Sequence, residues 1–238
     1  MMQLLRLVKG EAHRFYKYKI LHISLLVSII WIALILLLDE ATISEFVPLL
    51  VMMDAAMMSI ILMASSYFFE KQENTIRTTL VLPIHPGQIL LAKIICVTLL
   101  EVLSGTIILL TMVFAYGTHI SFLLYFIYII LVVLSHTSIG MFITLHSKDF
   151  NSMLTRYMLF AFVTIIPTFL ASFNIIPESW ELLLAISPTQ GGQWLIQSLF
   201  TSIETPKIIF SVLYLLAMPL LVYPLAVYPR YKKVIMGE

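Results

Sequence analysis

Long apolar runs alternate with short polar breaks along nearly the whole of this chain. A helix crosses a bilayer core with about 20 predominantly apolar residues, and the runs suffice for about six crossings. They predict spans over residues 20–38, 46–69, 89–116, 122–145, 157–176 and 207–228. Ahead of the first, residues 1–19 carry Leu5, Val8, Ala12 and Phe15 at helical spacing on one side and Arg6, Lys9, His13 and Lys17 on the other. That division predicts an amphipathic interfacial helix along the inner membrane surface.

The longest polar break in the first half covers residues 70–93. Its first part has the spacing of a helix, with Phe69, Ile76 and Leu80 on one side and Glu73 and Arg77 one turn apart on the other. Pro83 and Pro86 stop that helix, Gly87 lets the chain turn, and Ile89 begins the next apolar run. Residues 70–88 thus form an amphipathic hook between two spans. A second irregular stretch, 177–206, holds two apolar pieces, 180–186 and 194–200, separated by the turn Ser187-Pro188-Thr189-Gln190-Gly191-Gly192. Each piece is too short to span, which predicts re-entrant or interfacial helices with Trp180 and Trp194 at headgroup depth. Pro167 lies inside the fifth predicted span, where a missing backbone donor kinks a helix.

Composition settles the class. Hydrophobic residues make up 61% and charged residues 11% of the 238 positions, against about 45–50% and 25% in soluble domains. The chain reads as one all-α integral membrane domain with no room for a soluble catalytic domain. Charge placement then sets the orientation: with six spans, Lys207 is the only one of the 14 lysines and arginines left outside. The hook and both termini are therefore expected in the cytoplasm and residues 177–206 outside. The net charge of +1 gives no reason to expect a nucleic-acid partner. Cys96 is the single cysteine and excludes an intrachain disulfide. The run at 20–38 lacks a small-residue cleavage site and reads as a retained span.

Two acids stand inside spans, Asp54 and Glu101. An acidic side chain at the membrane centre costs about 2.5–3.5 kcal/mol, so both are expected to face protein or water. At about 1.5 Å per residue, Glu101 lies about 12 Å from Lys93, and Asp54 about 12 Å from the outer end of its span, at a different depth. Two readings stay open: a substrate pathway or proton relay, or a polar tie between helices with the acid kept neutral by burial. His136, flanked by Ser135, Thr137 and Ser138, either extends a relay from Glu101 or makes an interhelical hydrogen bond. Met52, Met53, Met57 and Met58 read as adaptable filler.

Several signatures are missing. Without G-x-x-x-x-G-K-[ST] the chain has no phosphate-binding loop. Neither H-E-x-x-H nor paired cysteines mark a zinc site, and no G-x-S-x-G marks a nucleophile. An intramembrane hydrolase would depend on Ser135, His136 and Glu101 alone. No enzyme activity and no metal site are expected of this chain.

The order of features around the hook resembles the type-2 ABC transporter permeases. The resemblance rests on Glu70 at the end of the second span, the pair Asn74-Thr75, Leu80-Val81-Leu82-Pro83, and Lys93 opening the third span, together with the basic amphipathic helix, six spans and short re-entrant helices before the last. Asn74 departs from the pattern, where glycine is usual. The resemblance implies a permease subunit of the bacterial plasma membrane that works as a pair, with an identical copy or a sister permease. Two copies of a separate ATPase subunit would supply ATP and Mg chemistry, and this chain would bind no cofactor of its own. It further implies that the hook is a coupling helix docking on that ATPase through Glu70, Glu73, Asn74, Thr75, Ile76, Arg77, Leu80 and Pro83. Among such permeases the chain is similar to small bacterial drug or antibiotic exporters. The rival readings are a proton-coupled secondary carrier using Asp54, Glu101 and His136, and a non-transporting membrane scaffold.

Overall fold

A computed structural model describes residues 2–78, 84–173 and 175–236. Helix α1 (Met2–Lys17) is followed by α2 (Ile20–Leu36), and the two axes differ by 68°. The corner is Lys19, whose φ of 62° places it in the left-handed region and ends one helix before the next begins.

The second apolar run is one rod made of α3 (Glu40–Met53), a π-helical turn at Asp54–Met58, and α4 (Ser59–Gln72). It starts six residues ahead of the predicted 46. Asp39 is extended, and an acidic residue suits the first turn of a helix, so Glu40 opens the helix instead of lying in a loop. After the short α5 (Thr75–Thr78), α6 (Pro86–Tyr116) begins at a proline, which needs no backbone donor there, while His85 Nδ1 accepts the Gly87 N–H at 3.2 Å. Helix α7 (Phe122–Leu145) has the predicted bounds. Helix α8 (Phe150–Ser172) starts seven residues ahead of the predicted 157 because Asp149 and Ser152 form a reciprocal cap, with the Ser152 N–H donating to Asp149 Oδ1 at 2.7 Å.

The irregular stretch departs most from expectation. A 3₁₀ turn at Glu178–Trp180 leads into α9 (Glu181–Leu184), and then α10 (Pro188–Gln197) absorbs the predicted turn into a helix. Helix α10 packs against α3, α7, α8 and α11 (Thr205–Val222), and Gly191 and Gly192 lie buried within it. At 192 a Cβ would stand 3.1 Å from Val132 Cγ2, so glycine gives the closest fit and a larger residue would make Val132 give way by a few tenths of an ångström. The two tryptophans part company: Trp180 is 58% exposed, whereas Trp194 is 6% exposed and packed inside the protein. The last apolar run is α11 (Thr205–Val222), a π turn at Tyr223–Val227, and α12 (Tyr228–Met236).

Among the described residues, five segments are long and apolar enough to cross a membrane, and the bent α1–α2 pair makes a sixth when taken together. Their outward faces carry large apolar side chains such as Phe114, Leu123, Phe162 and Leu220, as a lipid-facing surface demands. Helices α4 and α7 pack together with Gly140 directly against Ile60, and α6 packs on both. Small residues permit such approach between membrane helices.

Candidate functional site

Glu11 lies within the stripe of α1 that carries Val8 and Phe15, at the spacing that faces the protein. It is buried, as are Glu70 near the end of α4 and Lys93 in the second turn of α6. Lys93 Nζ donates to Glu70 Oε1 at 2.8 Å, to Glu11 at 3.1 and 3.2 Å, and to Ser66 Oγ at 2.9 Å. A lysine has three N–H donors, so three acceptors satisfy it fully. Arg14 adds a second cation, donating to Glu11 at 2.7 Å and to Glu70. Two carboxylates and two cations balance in charge, which is the condition for keeping ions out of water.

The hook is tied to the same elements. Lys17 Nζ bonds Glu73 at 2.9 Å, Tyr18 Oη donates to the same carboxylate, and the Tyr18 ring stacks on Phe69 at 4.7 Å. The bonds from Lys17 and Tyr18 hold the Glu73 carboxyl below its ordinary range. Burial and then the Glu73 bond push the Tyr18 phenol up to about 12. Glu73 thus closes the span and pairs with α1, because the helix it was expected to share with Arg77 is broken at Asn74. Asn74 has a φ of 56°. Glycine is unstrained there and asparagine is the side chain that tolerates it best, so the departure from glycine preserves the break.

Thr75 Oγ1 donates to the Glu70 carbonyl at 3.1 Å, and Ile76 is buried. Lys71 reaches the Lys148 carbonyl at 2.7 Å, and His85 stacks on Tyr228 of α12. Of the hook residues singled out in the sequence, Glu70, Glu73, Thr75 and Ile76 therefore meet the surrounding helices, while the Arg77 side chain, Leu80 and Pro83 lie outside the described residues. Glu11 escaped the sequence reading. Its signal was an acid inside the apolar stripe of a basic helix.

The intramembrane residues divide into two places. Asp54 opens the π turn and lies 2.6 Å from Ser104 Oγ on α6, while Trp31 Nε1 of α2 donates to its other oxygen at 2.8 Å. Glu101 is one turn from Ser104 on the same helix and buried, with neither carboxyl oxygen hydrogen-bonded. Residue counting put the two acids at different depths; bundle geometry brings them to one patch. His136 is elsewhere, its Nδ1 bonded to the Val132 carbonyl at 2.8 Å, its ring edge-on to Phe160, and its Nε2 without a partner. The interhelical bond of its polar neighbourhood is made by Thr137, which accepts from Tyr223 Oη at 3.0 Å. Met52 and Met57 are core, whereas Met58 lines an apolar cleft of about 340 Å³ with Ile20, Ile23, Leu62, Phe69 and Phe150. Among the described residues, no group of three or more His, Cys, Asp or Glu side chains could hold a metal ion.

An all-α bundle of membrane-crossing helices, with an amphipathic helix and a hook locked together at one end, defines a multi-pass membrane protein of the permease class. The sequence profile of the ABC-2 type transporters matches residues 2–200, and the chain belongs to that family. No curated protein matches it.

Proposed function

We propose that this chain is the membrane-spanning subunit of an ATP-driven exporter that moves a hydrophobic or amphipathic small molecule or peptide of the drug and antibiotic class. Permeases of this family generally pair with ATPase partners, and a chain without a phosphate-binding loop must receive its energy from outside. The observation that carries the reading is the ion cluster of Glu11, Arg14, Glu70 and Lys93, which joins α1 to both helices flanking the hook. A push on the hook would thereby move α1, α4 and α6 as one body, as switching between two packed arrangements requires.

In this reading two ATPase copies dock on the hooks of two permease chains, identical or sister. The hook and both termini face the bacterial cytoplasm, and the surface spanning Glu70 to Pro83 makes the contact. Within that surface Glu70 is buried, which supports a part in force transmission with direct ATPase contact made by its exposed neighbours. Segment 177–206 lies outside, with α10 as a re-entrant plug. The apolar cleft at Met58 supports an apolar cargo.

Purification of the chain from its host tests this. A copurifying ATPase whose ATP hydrolysis drives uptake into inverted vesicles is the expected result. Uphill transport in ATP-free vesicles would overturn it in favour of a secondary carrier, and assembly without any transport would favour a scaffold. Exchanging the charges at Glu73 and Arg77 is expected to weaken ATPase binding or coupling while leaving the spans folded.

A further inference from the structure

Three contacts run in line from Asp54 to the backbone of α2. Asp54 Oδ2 and Ser104 Oγ are 2.6 Å apart, Ser104 Oγ and Ser28 Oγ 2.7 Å, and Ser28 Oγ and the Ser24 carbonyl oxygen 3.0 Å. A serine hydroxyl brings one proton, so two serines supply two protons for three oxygen–oxygen contacts. The Ser24 carbonyl has none to give. With Asp54 as a carboxylate, one of the three contacts would set two lone-pair oxygens against each other in a buried place with no proton between them. With a proton on Oδ2 the chain closes: Asp54 donates to Ser104, Ser104 to Ser28, and Ser28 to the carbonyl. Oδ1 remains free to accept the Trp31 indole N–H.

Glu101 supplies a second, independent observation. Its side chain is 1% exposed, and both oxygens lack a hydrogen-bond partner. It stands one turn from Ser104, the serine that meets Asp54. A lone carboxylate there would carry a desolvation cost of several kcal/mol with nothing to offset it.

Among the described residues, the neighbouring elements offer no counter-ion. Lys93 and Arg14 are committed to Glu11 and Glu70, about two turns away along α6. From α7, Tyr125 Oη donates to the Gly105 carbonyl, and His136 bonds its own helix. From α12, buried Tyr231 is near the ion cluster of Glu11 and Glu70. From α2 only Trp31 and the serines arrive. Asp54 also begins a π turn, a geometry frequent where helices carry function.

We propose that Asp54, Glu101, Ser104 and Ser28 form a proton-binding site inside the membrane, occupied in this conformation. Binding forms an O–H bond on a carboxyl oxygen with a proton drawn from water, and release returns it. The site does not rest on the ATP-driven reading, and its failure would leave that reading intact.

Infrared spectroscopy of the full-length chain, purified with any accompanying ATPase and reconstituted in lipid, detects protonated carboxyls through their C=O stretch. At neutral pH the wild type is expected to show this band, Asp54→Asn to remove one component and Glu101→Gln another. Ser104→Ala should shift the Asp54 component without removing it. Absence of the band at neutral pH, or a band unchanged in both acid variants, overturns the proposal. Loss of the band on adding sodium at constant pH also overturns it, since the ligand is then a metal cation. Should an acid variant fail to assemble, the wild type alone decides: its band must bleach reversibly as pH rises, and a pH-independent band rejects exchangeable proton binding.

Discussion

Lys93 on α6 and Glu70 on α4 meet at 2.8 Å, both buried, across the two helices that the hook connects. Their contact is completed by Glu11 and Arg14 from α1, so the three elements at this end share one neutral ion cluster. A pair isolated from water in this way holds only while every member is present.

Replacing Lys93 by Met leaves Glu11 and Glu70 with Arg14 alone. The expected loss is about 3–5 kcal/mol, read as lowered thermal stability in detergent. Adding Glu11→Gln to that variant should recover part of the loss, because it removes one of the two buried anions. Strictly additive losses would count against a shared cluster.

Gly140 is the contact point of α7 with α4. A Cβ there would lie 2.9 Å from Ile60 Cα, a backbone atom that cannot rotate aside. Gly140→Ala is expected to cost about 1–3 kcal/mol through overpacking, measured by the same thermal assay. Gly10→Ala, where a Cβ meets nothing within 4 Å, serves as the control and should not lower stability.

At Asn74 the left-handed backbone decides the outcome. Asn74→Gly should be nearly neutral, and Asn74→Val should cost about 1–2 kcal/mol because a β-branched side chain fits that region poorly. A melting temperature equal for Gly and Val variants would show that the break between α4 and α5 is not held at this residue.

Glu73 gives a pH dependence of known sign. Its carboxyl is held below the ordinary range by the bonds from Lys17 and Tyr18, so its contribution is full above an unfolded value of about 4.3 and is lost as pH falls through the lower folded value. The difference in melting temperature between wild type and Glu73→Gln should therefore be constant near neutrality and shrink below about pH 4. A difference that grows on acidification would remove Glu73 from this junction.

Much of the bundle was legible along the chain. The span of α7 matches the apolar run to the residue, since its ends are marked by polar breaks. Where local chemistry extends a helix beyond its apolar part, the hydrophobic pattern stops short: at Glu40, at the Asp149–Ser152 cap and at Pro86. The Gly191-Gly192 pair reads as a turn in one dimension. In three it lets a buried helix approach α7 and α11, because missing side chains serve close packing as well as chain reversal.

The sequence by itself determined that this is an all-α membrane-crossing chain, where its spans lie, and that a polar hook separates the second from the third. Those properties follow from transfer free energy and helix periodicity, which act on neighbours in the chain. Only the tertiary structure decided which charges meet. Glu11 and Lys93 are separated by 82 positions and Asp54 and Ser104 by 50, and their partnership depends on how helices rotate and pack rather than on any local pattern. In a medium that cannot solvate them, that packing determines which polar groups are satisfied and which, like Glu101, stand unpaired.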